Sequence, residues 1–254
     1  MKTIKDKLKP LRYCAWILLC IFCLPLVILL LIAGFIGGEF KDMVFKLFAM
    51  IAQSFSSPRR LEIIDVLIQG ERDVETLSRE VNMSIANTSK HLQVLKNARL
   101  LESRKEGVRV LYRVADDSVF ACWKNLQNLA EQRLYEMKEI VRMYYQDRDK
   151  MEPVSRDNLL GRLKLGDVLV LDVRPFEEYR SGHISKALSI PLPELKQRID
   201  EIPKNMEIVA YCRGPYCVLA AEAITFLRKA GIKARRMKDG FPEWKNAGLP
   251  VEHS

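Results

Sequence analysis

The chain has 254 residues, 48% apolar and 29% charged, enough for two ordinary cores and unlike a disordered or collagen-like sequence. Its net charge is +9, but five cations (Lys2, Lys5, Lys7, Lys9, Arg12) and one acid (Asp6) precede residue 13 and leave +5 for the rest. That excess tolerates contact with phosphates yet falls far short of a basic tail, so any nucleic-acid role must rest on a motif.

Residues 14 to 38 carry no charge, and as a helix they would cover ~37 Å, enough to cross a bilayer. Pro25 does not forbid a span, and the run is longer than the apolar part of a signal peptide. The cations before residue 13 hold the N-terminus in the cytoplasm, which would put everything after residue 38 outside. That conflicts with the intracellular role implied by the following motifs. Three arrangements resolve the conflict: an anchor with its N-terminus out, a hairpin bent at Pro25, or a translation start set too far upstream of Met43. The expectation is cytoplasmic functional domains, with an inner-membrane anchor if residues 1–38 are made. The six cysteines, at 14, 20, 23, 122, 212 and 217, lack the spacing of a secreted disulfide framework, which points to a reducing compartment.

From Phe40 to Ile68, apolar residues recur at three and four spacing (Val44, Leu47, Phe48, Ile51, Phe55, then Leu61, Ile64, Leu67), which predicts amphipathic helices. Ser57-Pro58 breaks them, with Ser57 as N-cap and Pro58 in the first helical position. VETLSREV predicts a short helix, Asn82-Met83-Ser84 a tight turn, and SIANTSKHLQVLKNARLL a second helix that buries Ile85, Leu92 and Leu95. Two short helices on a three-residue turn make a helix-turn-helix. RKEGVRVLYRV then predicts a hairpin turning at Glu106-Gly107, with Val108, Val110 and Tyr112 alternating with Arg109 and Arg113. Helix-turn-helix plus hairpin is a winged helix. Its second helix offers Asn87, Thr88, Ser89, Lys90 and His91 to base edges and phosphates of double-stranded operator DNA, and Arg104, Lys105 and Arg109 let the wing grip backbone.

SSPRRLEIIDVLIQGERDVETLS and NTSKHLQVLKNARLLESRKEGVRVLYRV resemble the arsenical-repressor (ArsR) family of bacterial regulators. The resemblance spans residues 39 to 148 and implies a homodimer whose N- and C-terminal helices pair. The amphipathic run from Asp117 to Tyr145 would supply much of that interface. The helix before the recognition helix has no cysteine pair and the last helix no Asp and His pair, so direct metal sensing is disfavoured. Cys122, among Phe120, Trp123 and Leu126, is expected as packed core rather than sensor.

QDRDKMEPVSRDN is a charged stretch with a proline, and residues 149–157 are expected as a linker ahead of a domain at 158–254. Beyond it strands and helices alternate: DVLVLDV a strand, PLPELKQRIDEI a helix, EIVAYC a strand, VLAAEAITFLRKAG a helix, IKARRM a strand. This predicts an α/β domain on a parallel sheet. Chemistry belongs where a strand end meets a helix start, which is Cys212-Arg213-Gly214-Pro215-Tyr216-Cys217. Backbone N–H groups there would make an anion cradle and lower the pKa of a thiol at its base, marking Cys212 as a nucleophile.

LDVRPFEEYRSGHISKALSIPL, YCRGPYC and DGFPEWKNAGLPV resemble the rhodanese family. The resemblance implies that Cys212 takes a sulfane sulfur from a donor such as thiosulfate or polysulfide, without a cofactor, and that the loop from Arg213 to Cys217 holds the terminal sulfur. Asp172 and Arg174, with Glu178 and His183, would buttress the site. A related phosphatase loop ends in arginine; here Cys217 stands instead. Cys217 reads either as a resolving thiol able to attack a Cys212 persulfide or as a small buried residue at the helix start. The whole chain then reads as a winged-helix domain followed by a rhodanese domain. Its expected function is a DNA-binding regulator, a repressor by family type, whose operator affinity follows reactive sulfur. The alternative is a sulfurtransferase that uses the winged helix mainly as a dimer platform.

Overall fold

The computed structural model describes residues 38–146 and 153–253. The expected apolar segment therefore lies, apart from Gly38, outside the described residues. Among those described, no helix is long and apolar enough to cross a membrane. The chain divides into two units, one ending at Ser56 and one beginning at Ser57. The first contributes helix α1 (Gly38–Phe55), along which Lys41 lies 5.6 Å over the Phe45 ring and Phe45 meets Phe48 edge-on at 5.9 Å.

In the second unit, α2 (Pro58–Ile68) buries Ile63, Ile64, Val66 and Leu67. Pro58 does open it, and Ser57 is extended, but the Ser57 hydroxyl makes no capping hydrogen bond. A two-residue strand, β1 (Arg72–Asp73), leads into α3 (Val74–Glu80), where the Asp73 carboxylate accepts the Thr76 N–H at 2.8 Å. The turn that follows places Asn82 at φ 48°, a left-handed conformation that asparagine tolerates. Helix α4 (Ile85–Asn97) is capped by the Ser84 hydroxyl, which accepts the Asn87 N–H at 3.3 Å. Ile85 departs from expectation: it is 50% exposed, because the first turn of α4 projects beyond the core that Leu92 and Leu95 enter.

Strands β2 (Leu101–Glu106) and β3 (Arg109–Val114) form the hairpin, with Ser103 opposite Tyr112, and β1 completes the sheet in the order β1-β3-β2. The turn falls one residue later than expected, at Gly107-Val108. Gly107 takes φ 61° and Val108, expected among the alternating residues, is fully exposed. The long run after the wing is two helices, α5 (Asp117–Arg133) and α6 (Tyr135–Gln146), because Leu134 is extended at φ −103°, ψ 105°. Cys122 is exposed rather than packed, since α5 turns Val119 and Gln127 inward and leaves residue 122 to the side of that face.

The α/β layers begin inside the stretch expected as linker. Val154 already pairs with Met237, and α7 (Arg156–Leu165) follows, capped by Ser155 and closed by left-handed Gly166. Next come β4 (Val168–Asp172), α8 (Phe176–Ser181), β5 (His183–Ile184), β6 (Leu188–Ser189), β7 (Glu207–Tyr211), α9 (Val218–Lys229), β8 (Ala234–Arg236), α10 (Phe241–Asn246) and β9 (Val251–Glu252). The parallel sheet runs β6-β4-β7-β8, and β5 pairs antiparallel with β9. Buried on both faces, β7 sends Ile208 and Ala210 into one core with Ile224 and Leu227, and Val209 and Tyr211 into another with Phe241 and Trp244. PLPELKQRIDEI is not a helix. It forms only single turns, Leu192–Glu194 and Ile199–Glu201.

Candidate functional site

Strand β7 ends at Tyr211 and α9 starts at Val218, so the six residues between them turn at the carboxyl edge of the sheet. Cys212 is 3% exposed, and Cys217, the N-cap of α9, is half-buried. The loop is shaped by backbone packing. Phe241 N–H donates to the Cys212 carbonyl at 3.0 Å, and a Cβ on Gly240 would stand 2.4 Å from the Arg213 carbonyl carbon, so only glycine fits.

Cys212 departs from the lowered thiol pKa expected from the sequence. Its Sγ donates toward the carbonyls of Gly214 (3.8 Å) and Cys217 (3.5 Å), and burial pushes the thiol well up. The hydrogen bond from Cys212, helped by the N–H groups of Leu219 and Arg213, instead holds Cys217 below its ordinary value. Cys212 lies deeper than the amides can offset, and of the two thiols Cys217 is the one whose ionisation the loop favours.

Behind the loop, Asp172 and Arg174 are fully buried and 2.6 Å apart; Tyr211 OH donates to Asp172 at 2.5 Å and Arg174 Nη2 to the Gly182 carbonyl at 2.8 Å. The Arg174 guanidinium also lies 4.3 Å from the Phe241 ring centre. This pair sets the ends of β4 and β7. His183 stacks on Tyr179 at 3.7 Å between centroids, and its Nδ1 lies 2.9 Å from the Tyr179 carbonyl, a structural placement.

Arg213 is the residue that reaches outward. Its Nη2 meets Glu178 at 2.5 Å and Glu80, at the end of α3, at 2.8 Å. Arg72 of β1 closes the ring, 3.2 Å from Glu80 and 3.3 Å from Glu178. Glu178 is fully buried, its Oε2 has no hydrogen-bond partner, and burial pushes its pKa up against the pull of the arginines. Two charges of this ring come from the winged helix and two from the α/β domain. Gln69, at the end of α2, joins them again: Nε2 donates to the Arg213 carbonyl at 3.1 Å and Oε1 accepts from Arg174 at 3.2 Å. Lys124 of α5 adds a pair with Glu243 at 2.9 Å, and Tyr216 bonds Glu131.

Between α2, α5 and the loop lies a cavity of about 630 Å³, lined among others by Leu61, Asp65, Ile68, Trp123, Pro215 and Cys217. Asp65 accepts from the Trp123 indole at 3.1 Å, and burial pushes its pKa up to about 6. Gln69, Arg72, Glu80, Asp65 and Trp123 were not singled out from the sequence. Each reads there as an ordinary polar or amphipathic position, because its partner lies far along the chain.

On the recognition helix, Asn87, Ser89 and Lys90 are exposed. Thr88 is not: it is fully buried and its hydroxyl donates to the Ser84 carbonyl at 3.0 Å, so it holds the helix start instead of facing outward. His91 is half-buried, and burial with the charges of Arg60 and Arg59 lowers its pKa, favouring the neutral ring. In the wing, Arg104 pairs with Glu71 at 2.7 Å and Arg109 with Asp73 at 3.7 Å, while Lys105 is exposed.

The bacterial regulatory protein, arsR family model matches residues 57–103, and the rhodanese-like domain model matches residues 155–247. The HTH-type transcriptional regulator Rv0324 of Mycobacterium tuberculosis is 39% identical over 204 residues, covering 80% of this chain and 89% of that protein. The chain is an ArsR-family transcriptional regulator with a rhodanese-like domain. A sulfurtransferase of Allochromatium vinosum is 33% identical to this regulator over 86 residues, 34% of this chain and 78% of the relative. The homodimeric winged helix-turn-helix DNA-binding domain of Mb0332 from Mycobacterium bovis is 33% identical, covering 39% of the regulator and 93% of that chain, with a TM-score of 0.37.

Proposed function

We propose that this regulator binds its operator as a homodimer and that sulfane sulfur carried on Cys212 changes its affinity for DNA. The observation that carries the reading is the position of Arg213: next in sequence to the sulfur-bearing thiol, it is bonded to Glu80 of the helix-turn-helix at 2.8 Å. Loading would start with the Cys212 thiol passing its proton to the adjacent Cys217 sulfur. The Cys212 thiolate then attacks the outer sulfur of a donor R–S–SH. A new S–S bond forms on Cys212, the donor's S–S bond breaks, and the donor leaves as RS⁻.

The Gly214 and Cys217 carbonyls that now accept from the Cys212 thiol would face a sulfur with no proton to give, and repulsion would turn the loop's peptides. Arg213 moves with them and pulls on Glu80 in α3, which positions the recognition helix. Sulfur transfer by the Allochromatium relative supports the loop's chemistry, and Asn87, Ser89, Lys90, Arg104, Lys105 and Arg109 are the proposed DNA contacts.

The test is operator binding by electrophoretic shift with and without polysulfide. The reading requires a change in affinity that Cys212→Ser abolishes. An unchanged shift with Cys212 fully persulfidated would leave a sulfurtransferase attached to a constitutive regulator.

A further inference from the structure

The cavity between α2, α5 and the thiol loop is walled on one side by the DNA-binding domain, so a molecule seated in it touches side chains of both domains. Its walls are apolar on the helix side, from Leu61, Ile68, Phe120 and Trp123, and Pro215 and Leu219 face them from the loop side. Its charged lining is acidic: Glu62, Asp65, Glu80 and Glu243. Among the described lining residues the single cation is Arg213, whose guanidinium is already held by Glu178 and Glu80. Cys217 borders the space; Cys212 is buried behind the lining residues of the loop, with its Sγ 3.5 Å from the Cys217 carbonyl oxygen.

A thiosulfate dianion entering this space would give up hydration and find no uncommitted cation in return, because Arg213 is held by Glu178 and Glu80, and Arg59, Arg72 and Lys124 are held by the lining carboxylates Glu62, Glu80 and Glu243, a cost that grows as the dielectric falls. An apolar group would gain contact with Trp123, Phe120 and Leu61, and about 630 Å³ lies within the usual range for small-ligand sites. We infer that this cavity is the donor site and that it selects an apolar organic persulfide over the thiosulfate dianion. The inference rests on the proposal that Cys212 carries sulfane sulfur and names the class of molecule that supplies it.

Benzyl methyl sulfide, neutral and without a transferable sulfur, serves as the probe for the apolar arm, and sulfate serves as the unreactive dianion. Full-length reduced protein is titrated with each while tryptophan emission is followed, with Trp123→Phe as the control that removes the reporting indole. Loading of Cys212 by benzyl hydropersulfide is followed in parallel, as gain of one sulfur atom on its peptide by mass spectrometry. The expected result is a saturable emission change with the thioether, absent in Trp123→Phe and absent with sulfate. Saturating thioether should slow loading by about tenfold or more. Tighter binding of sulfate than of the thioether, or loading that the thioether does not slow, overturns the inference.

The outcomes separate from those of the sensor reading. Competition by the thioether without any operator response to loading keeps the donor site and removes the sensor. An operator response to loading that the thioether never impedes keeps the sensor and removes this donor site.

Discussion

The Asp65 carboxyl accepts a hydrogen bond from Trp123, yet burial still pushes its pKa from the ordinary 3.8 up to about 6. Because the folded value is the higher one, the folded chain binds this proton more tightly. The stability it contributes is fully present below 3.8 and is lost as pH rises through about 6. Above that pH the half-buried carboxylate costs ~1–2 kcal/mol, less than the full shift implies, because water in the cavity screens it. Asp65→Asn keeps an acceptor for the indole without the charge. It should raise stability at neutral pH by that amount and flatten the slope between the two pKa values, as read from urea midpoints across pH. An unchanged slope would show that Asp65 is solvated in the fold. Gly240 tests close approach rather than charge. Its φ of −107° is open to any residue, so Gly240→Ala fails only by contact, with a Cβ 2.4 Å from backbone atoms of Arg213 and Gly214. The expected cost is ~2–3 kcal/mol in thermal unfolding, with Cys212 more open to alkylation as the loop is displaced.

At the scale of elements, the recognition helix depends on its first turn. Ser84 accepts the Asn87 N–H, and buried Thr88 bonds back to the Ser84 carbonyl. Ser84→Ala should destabilise by ~1 kcal/mol and Ser84→Gly by only a few tenths, measured by chemical denaturation. A loss as large in the glycine variant would place the contribution in backbone conformation rather than the cap. Elements with a strong period were legible in the sequence: α2, α3 and α4, the wing, β4, β7 and α9 each carry the spacing their burial requires. The failures have local causes. PLPELKQRIDEI has helical composition, and its prolines fall where a helix start accepts them, so nothing in it signals the two separate turns it forms, and the Asp117–Tyr145 run breaks at Leu134 without a glycine or proline to signal it. The thiol loop was legible because its six residues are contiguous. What was not legible is its coupling, since Arg213 finds Glu80 across 133 positions and Arg174 finds Gln69 across 105. Nor could residue types reveal that burial raises the Cys212 pKa while its hydrogen bond lowers that of Cys217.

At the scale of the whole molecule, the four-charge ring of Arg72, Glu80, Glu178 and Arg213 ties the winged helix to the α/β domain, and the proposed function routes the sulfur signal through it. Removing the fully buried Glu178 would leave Arg72 and Arg213 to share Glu80 alone and threaten the fold, so it is a poor probe of coupling. Glu80 is better, being half-buried, and Glu80→Gln leaves Arg213 paired with Glu178. Coupling between two sites is a free energy that both ends must feel, typically ~1–3 kcal/mol, or about 5- to 150-fold in affinity. Glu80→Gln should therefore leave Cys212 persulfidation intact while shrinking the sulfur-dependent change in operator affinity toward that of Cys212→Ser. The double variant should show no further loss, because both changes interrupt one path. Fluorescence anisotropy on an operator duplex, with persulfidation quantified in the same samples, makes the comparison. Additive losses would mean that sulfur reaches the recognition helix by another route, with the Gln69 bridge between Arg174 and the Arg213 carbonyl the next to cut.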